Sequence, residues 1–485
     1  MSATRRTQPT LEPLQLCIEI LSFYGPQTRA AIEQRLPVVA AGLWTDERLV
    51  HGVRVEGDDT LHFCERENLD ILLRLQRARS RQPLDPQPMS HWPAFMARQH
   101  GLGLLATPDR EQLRLDVTDG LARLSGCSAS IEVWLNDILQ ARFGDAGASL
   151  LGEILPAEGF VWRGSGRERV LMAATDEAPL FTGLSEESEA NAVALTAGFR
   201  DPEARYTFSR IRDQHGASLS EFNRLWWLAV WSGLIAADER SVLRDAHRRS
   251  FELGEVPTSN VASRGVRRRP QFAPVGWSGN WYVVPTQDAP TPLKALEQSR
   301  QRIRILLDRY GVLCRELIVR EGLSWSPCFR ALRIMERAGE VSGGLFFEGL
   351  SGPQFASPVA LHRLRQSVVD RHWWINATDP ASPCGLGLNW SGLPRRLGAN
   401  WLAFDASTLV MVVEQSGKSL RFDVQVEDPR LNPALELIRH LLHTRGRLSL
   451  GRINDRPAFE SPYLNVLESH FSVYRDHCSV ELSIR

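Results

Sequence analysis

The stretch "SRQRIRILLDRYGVLCRELIVREGLSWSPCFRALRIMERAGEVSGGLFFEGLSGPQFAS", Ser299 to Ser357, decides how the chain is to be read. Ile303, Leu306 and Leu307 recur at helical spacing, and the run stops at Gly311, the residue type that best tolerates the turn after a helix. "CRELIVREG" is a short second helix ending at Gly322. Ser324 then stands as the N-cap of a third, which carries Phe329, Leu332, Ile334 and Met335 and ends at Gly339. Glu340 to Ser357 reads as two strands joined through Gly349 to Gly352. Three helices and a hairpin make a winged helix, in which the third helix enters a DNA groove and the hairpin touches the phosphate backbone.

The same order of elements recurs, more weakly, upstream. "LEPLQLCIEILSFYGPQTRAAIEQRL" (Leu11 to Leu36) gives two helices about Gly25-Pro26, and "LVHGVRVEGDDTLHFCE" supplies strands. "ASIEVWLNDILQARF" is a helix followed by the hairpin "EGFVWRGSGRERVLMAA". "ARYTFSRIRDQHG" leads to a capping box, Ser218 to Glu221, and the helix "EFNRLWWLAVWSG". A unit of about 60 to 90 residues suits tandem small domains better than a solenoid. Ser259 to Pro292 is rich in Gly, Pro, Ser and Asn and reads as a linker with one or two strands, "NWYVV" being the best candidate. Beyond Arg371 come a turn-rich segment, the hairpin "TLVMVVEQSGKSLRFDVQV", the helix "NPALELIRHLLHTRG", "RLSLGRIND", the helix "SPYLNVLESHF" and a last strand, "CSVELSIR".

The expected fold is therefore α+β and multi-domain: tandem winged-helix modules followed by a small C-terminal α+β domain. The expected boundaries are 1–80, 81–180 and 181–255 for the first three modules, 256–292 for the linker, 293–368 for the fourth module and 369–485 for the C-terminal domain.

The 485 residues carry 57 Lys+Arg against 57 Asp+Glu, a formal net charge of +0, so attraction to polyanions must come from local patches. Lys294 and Lys418 are the only lysines. The arginine bias suits bidentate phosphate contact, and it equally follows from genome base composition. Seven scattered cysteines without a C-x-x-C pair predict a reducing, cytoplasmic setting. The N-terminus has no apolar signal region, and "LWWLAVWSGLIAA" (Leu225 to Ala237) is too short to span a bilayer, so no membrane partner is expected.

No cofactor or metal site emerges. Gly417-Lys418-Ser419 has the ending of a phosphate loop, but the position of its first glycine is Val412, and Leu420 to Val426 alternate as a strand does. It reads as a hairpin tip. "LIAADER" (Leu234 to Arg240) has no nucleotide loop to serve, and "GSGRER" lacks the third glycine of a dinucleotide fingerprint. His440 and His443 lie three apart on a helix without a visible third ligand, and a partly buried helix face explains them.

Four segments, "LLDRYGVLCRELIVREG" (Leu306 to Gly322), "RALRIMERAGEVSGGLFFEGLSGPQFASP" (Arg330 to Pro358), "NATDPASPCG" (Asn376 to Gly385) and "VVEQSGKSL" (Val412 to Leu420), resemble the C-terminal region of the large helicase-related (Lhr) family of bacterial proteins. The family's hairpin with a "VERGGK"-like tip is similar to the one around Lys418. The resemblance implies a string of winged-helix modules supporting homo-oligomer assembly, placed in full-length members after an ATP-driven helicase core. These residues contain neither a Walker A loop nor a DExH box, so a motor is expected from a helicase-core partner, or the chain acts as a stand-alone relative.

The expected DNA contacts, single- or double-stranded, are Arg330, Arg333 and Arg337, which share one face of the third helix opposite Phe329, Leu332 and Met335. Arg267, Arg268 and Arg269 lie near Phe272, Trp277 and Trp281, aromatics suited to stacking on unpaired bases. The hairpin tips, Arg163 to Arg169 and Lys418 to Arg421, are candidate wings. Trp226, Trp227 and Trp231 read as core anchors. The leading function is a non-enzymatic DNA-binding and oligomerising module. The alternatives are a metal-independent DNA glycosylase, with Asp379 of "ATDP" as catalytic carboxylate and Asp476 as second candidate, and a scaffold without DNA contact.

Overall fold

A two-residue strand lies just ahead of a helix at four places: Gln27–Thr28, Ala129–Ser130, Tyr206–Thr207 and Val312–Leu313. At the first two, the side chain that closes the strand also caps the helix: Thr28 Oγ1 accepts from Ala31 N and Ser130 Oγ from Val133 N, meeting donors that have no partner inside the helix. The computed structural model describes residues 13–36, 44, 46–55, 58–80, 85–103, 109–157, 159–181, 195–201, 204–239, 241–251, 279–285, 291–366, 371–386, 390, 392–476 and 479–485. Residues 1–84 form one unit and 85–485 a second.

In the first unit, helix Pro13–Tyr24 buries Cys17 and Leu21 together with Ile32, Leu36 and Leu49. Strand Asp58–Glu65 lies between Gln27–Thr28 and Leu49–Val55, antiparallel to both. This order, with the last strand in the middle, is that of a hairpin extended by one short strand.

The second unit repeats the order four times. Its sheets run Ala129–Ser130, Arg169–Ala174, Phe160–Gly164; Tyr206–Thr207, Asn280–Val283, Ile235–Ala237; Val312–Leu313, Gln354–Ala356, Ser342–Gly344; and Arg447–Leu450, Val480–Ser483, Ser472–Arg475. The fold is thus the expected array of small mixed helix-and-strand modules, with one more copy of the strand order inside the C-terminal region than the sequence suggests.

Two assignments shift. Strand Asn280–Val283 is the central strand of the sheet holding Tyr206–Thr207 and Ile235–Ala237, so this module crosses the compositional boundary at 255/256. Polar, Gly/Pro-rich composition marks solvated chain, and an interruption within a module has it as readily as a linker between modules. Residues 85–103 join the module at 293–366: Gln87 N donates to Phe346 O (2.8 Å), Trp92 and Phe95 pack on Phe347, and Gln99 Nε2 donates to Asp308 O (2.6 Å).

Helix Pro292–Tyr310 is capped by Thr291, and helix Trp325–Arg337 buries Cys328, Ala331, Leu332 and Met335 while Ile334 stays exposed. The modules at 109–181 and 195–283 share one apolar core, in which Trp281 meets Trp226 and Trp162 with ring centroids 4.8 and 6.4 Å apart. Trp226, Trp227 and Trp231 are buried there. The C-terminal region adds a six-stranded sheet, His372–Asn376, Trp401–Asp405, Thr408–Glu414, Ser419–Phe422, Arg452–Ile453 and Arg456–Pro457, all neighbours antiparallel except Ser419–Phe422 with Arg452–Ile453. Helix Glu436–Arg445 turns Leu437, Ile438, Leu441 and Leu442 into the core beside it. Among the described residues, no helix is long and apolar enough to cross a membrane.

Candidate active-site cleft

Strand His372–Asn376 runs into "NATDPASPC", a segment with little regular structure whose backbone is held by side chains. Asn376 Oδ1 accepts from Thr378 N (2.9 Å) and Thr378 Oγ1 (2.7 Å), a local turn that asparagine makes readily. Three arginines, Arg142 and Arg320 from distant parts of the chain and Arg396 from shortly after it, then fix the loop. Arg396 donates to the carbonyls of Thr378 (2.7 Å) and Asp379 (3.1 Å), and Arg320 to those of Pro380 (2.9 Å) and Ser382 (3.0 Å). Arg142 forks onto Asp379, Nη1 to Oδ2 at 2.7 Å and Nη2 to Oδ1 at 2.9 Å, and both side chains are 1% exposed.

Ala381 N also donates to Asp379 Oδ1, at 2.8 Å. Arg142 Nη2 stands 3.1 Å from His100 Nδ1. Burial first, and then the charges of Arg142, Arg123 and Arg309, push the His100 imidazole well below its ordinary value, so the ring is neutral and Nδ1 accepts the bond. Both oxygens of Asp379 are therefore occupied inside the protein. Its carboxylate is buried and holds the loop.

Beside this loop opens a cleft of about 730 Å³, lined among others by Asn136, Gln140, Trp374, Glu436, His440 and His443. Its first wall is an irregular helix. Residues Trp134–Ile138 form a π turn, which adds a residue to the helical turn and is frequent at functional sites, and the following helix, Leu139–Ala157, breaks at Gly144 with φ 59° and ψ −169°. The second wall is strand His372–Asn376, and the third is helix Glu436–Arg445.

A chain of polar contacts leads inward from His440 in the lining to residues behind it. Asn376 Nδ2 donates to Gly398 O and to Asp137 Oδ2, both at 2.9 Å, and His440 Nε2 lies 3.2 Å from Asp137 Oδ1. Because a carboxylate only accepts, the imidazole proton sits on Nε2. The His440 ring stacks on Trp374, centroids 4.1 Å apart and planes 26° apart. Among the described residues, no three His, Cys, Asp or Glu side chains converge as metal ligands.

Among the described residues, the other expected site residues are not in the lining of this cleft. Arg330, Arg333 and Arg337 are exposed on helix Trp325–Arg337, with Arg333 paired to Glu336 at 2.5 Å. Arg267, Arg268 and Arg269, with Phe272 and Trp277, lie outside the described residues, and Trp281 is fully buried. Lys418 is exposed beside a turn that joins the antiparallel strands Thr408–Glu414 and Ser419–Phe422, a hairpin and not a phosphate loop. Arg421 is engaged with Asp423 (2.9 Å) and the Gly392 carbonyl. Arg163 is buried, donating to Gly233 O at 2.9 Å, and is no wing. Asp476 is exposed. Sequence reasoning passed over Asp137, Arg142, Trp374 and Asn376. The one signal for Asp137 is a carboxylate, beside Asn136, inside the mostly apolar run "VWLNDIL".

Residues 293–373 match the family profile of the large helicase-related protein, winged-helix domain. The chain is 30% identical over 402 residues to the Lhr helicase/uracil glycosylase of Escherichia coli strain K12, covering 73% of this chain and 26% of the relative. It is 25% identical over 419 residues to the Lhr helicase/probable uracil glycosylase of Mycolicibacterium smegmatis, covering 79% of this chain and 27% of the relative. The chain spans about a quarter of the length of these curated relatives. Among solved structures, the DNA glycosylase AlkZ of Streptomyces sahachiroi is similar to it with a TM-score of 0.45 and 13% identity, covering 76% of this chain and 100% of that one.

Proposed function

From the premise that this chain carries the winged-helix domain of the large helicase-related family and resembles that family's C-terminal region, we propose that it is a DNA-repair module that binds DNA and releases a damaged base in the cleft beside Trp374 and His440. The observation that carries the proposal is the cleft itself. Its 730 Å³ falls in the range of small-molecule sites, about 300 to 1,000 Å³, and it joins an aromatic wall to a few fixed polar groups. An extruded base needs that combination, an apolar face with hydrogen-bonding edges. The relatives named above are called uracil glycosylases, which makes uracil the first base to test. The exposed arginines 330, 333 and 337 supply the backbone contact in this reading, and Lys418 a wing contact. A helicase core, in the same or a partner chain, would deliver the DNA, and the module would self-associate.

The test has two stages. Gel shifts at about 50 mM salt, where release of condensed counterions favours binding, should show affinity for single- or double-stranded DNA. Incubation of a uracil-containing oligonucleotide should then leave alkali-labile abasic sites. Binding without base release would reduce the function to DNA holding, and absence of both would leave only a scaffold.

A further inference from the structure

His440 is held as a proton-transfer base is held. Its Nε2 is fixed by Asp137 Oδ1 at 3.2 Å, and one ring face is fixed by Trp374 at 4.1 Å. The other nitrogen, Nδ1, makes no hydrogen bond among the described residues, although the side chain is only 12% exposed and lies in the cleft wall. Nδ1 is not sealed from solvent, so it can meet a molecule held in the cleft. Asp137 is in turn oriented: Oδ2 accepts from Asn376, which is itself tied to Gly398 and Thr378. The π turn at Trp134–Ile138 is the local irregularity in which Asp137 sits. An imidazole whose Nε2–H is turned to a buried carboxylate, with Nδ1 on the other side of the ring, has the geometry of a carboxylate–histidine pair, in which the acid sets the tautomer and stabilises the imidazolium that forms.

We propose that Asp137 and His440 are the proton-transfer pair of this cleft, with His440 as catalytic base and Asp137 as its positioning residue, acting on a nucleotide whose base is extruded from the strand. The inference rests on the base-release function above and assigns its chemistry. Nδ1 takes a proton from a water molecule as the water oxygen bonds to the sugar C1′. The C1′–N bond breaks, its electron pair leaves on the base nitrogen, and the proton on Nδ1 passes to the departing base. Water is added across one bond, and the step needs no metal or redox partner.

The substitution Asp137→Asn is informative because its surroundings dictate how the amide sits. Asn376 donates to position 137, so the amide oxygen turns toward Asn376 and the NH2 toward His440 Nε2. That places the imidazole proton on Nδ1 and removes the base. His440→Gln keeps a donor toward Asp137 and cannot transfer the proton.

The experiment measures single-turnover base release from a uracil-containing single-stranded oligonucleotide, with DNA affinity and thermal unfolding recorded on the same full-length preparations. We expect Asp137→Asn and His440→Gln to lose about 10²- to 10⁴-fold in rate with affinity and unfolding temperature unchanged, and added imidazole to restore activity to His440→Ala. If the wild type releases base and His440→Gln stays within about threefold of it, a change below half a decade in rate, the inference is overturned while the proposed function stands. It is equally overturned if each loss of rate follows a loss of fold or of DNA binding. A wild type that releases no base overturns the proposed function, and this inference with it.

Discussion

Replacing Asp379 by Asn separates a structural carboxylate from a catalytic one, and the structure sets the size of the effect. In the wild type the Arg142 charge is met by two bonds of 2.7 and 2.9 Å to a carboxylate, each partner 1% exposed, and the His100 ring alongside is neutral. Asparagine keeps the shape but offers Arg142 one carbonyl and one NH2, so one bond becomes a donor facing a donor. The guanidinium is then a buried charge without a counterion, a situation that costs about 3 to 5 kcal/mol. At 1.4 kcal/mol per factor of ten, 4 kcal/mol corresponds to roughly 10³ in the unfolding equilibrium. Denaturant titration followed by tryptophan fluorescence reads this as a lower midpoint. Removing both charges, with Arg142→Met and Asp379→Asn together, recovers part of the loss because no unpaired charge remains. In base-release assays, Asp379→Asn should lose activity only as far as it loses folded protein. A variant stable to within about 0.5 kcal/mol, the scatter of neutral surface changes, yet devoid of base release would refute this reasoning and return Asp379 to the catalytic role that its place in "ATDP" suggests.

Replacing Arg330, Arg333 and Arg337 together by Gln should weaken DNA binding and flatten the slope of log affinity against log salt by about 2 to 3; an unchanged slope would place the DNA elsewhere. For Glu321, burial pushes the carboxyl up, and Arg309, at 2.5 Å, with the Tyr310 hydroxyl and Arg320, more than reverses this, leaving it below the usual carboxylate range. Its stabilisation is therefore present above its ordinary value and lost as pH falls through the depressed one, so the stability gap between wild type and Glu321→Gln should be full at about pH 7 and narrow as pH falls below the ordinary carboxylate range. Gly164→Ala should destabilise by about 1 to 3 kcal/mol or more, read by the same titration, because a Cβ there would lie 1.8 Å from the Val230 carbonyl oxygen. Cys127 and Cys314, whose thiols burial pushes up to about 11 and about 12, should resist alkylation until the protein unfolds.

Much of the array was legible because its elements are decided locally. Gly311 ends its helix with φ 69°, Ser218 caps its helix by accepting from Glu221 N, and the spacing of Leu332 and Met335 puts both in the core. Module limits were less legible, because strand pairing is a long-range event. Nothing in "NWYVV" says that it pairs with Tyr206 and with Ile235. The site was the least legible part. Asp137 is 239 residues from Asn376 and 303 from His440, and a π turn has no sequence period by which to recognise it. Asp379 stands out in "ATDP" as a carboxylate in a turn, but nothing local foretells its buried ion pair with Arg142, distant in the chain.

The cleft is a product of the modules' succession. Its first wall is the broken helix of one module, its second the opening strand of the six-stranded sheet, and its third the helix that precedes the last module's short strand Arg447–Leu450. A lone winged helix buries its apolar helix faces against its own hairpin and leaves little concave surface. Stacking modules creates concavity where their shapes fail to match, and the helix break at Gly144 lies in the lining of this cleft. In the proposed function, DNA contact and base chemistry sit on different parts of the array, the arginine face on Trp325–Arg337 and the Asp137–His440 pair between modules. Substitutions on the first should change affinity and salt dependence, and those on the second the rate at saturating DNA. A single substitution that changed both equally would show that the two are one site.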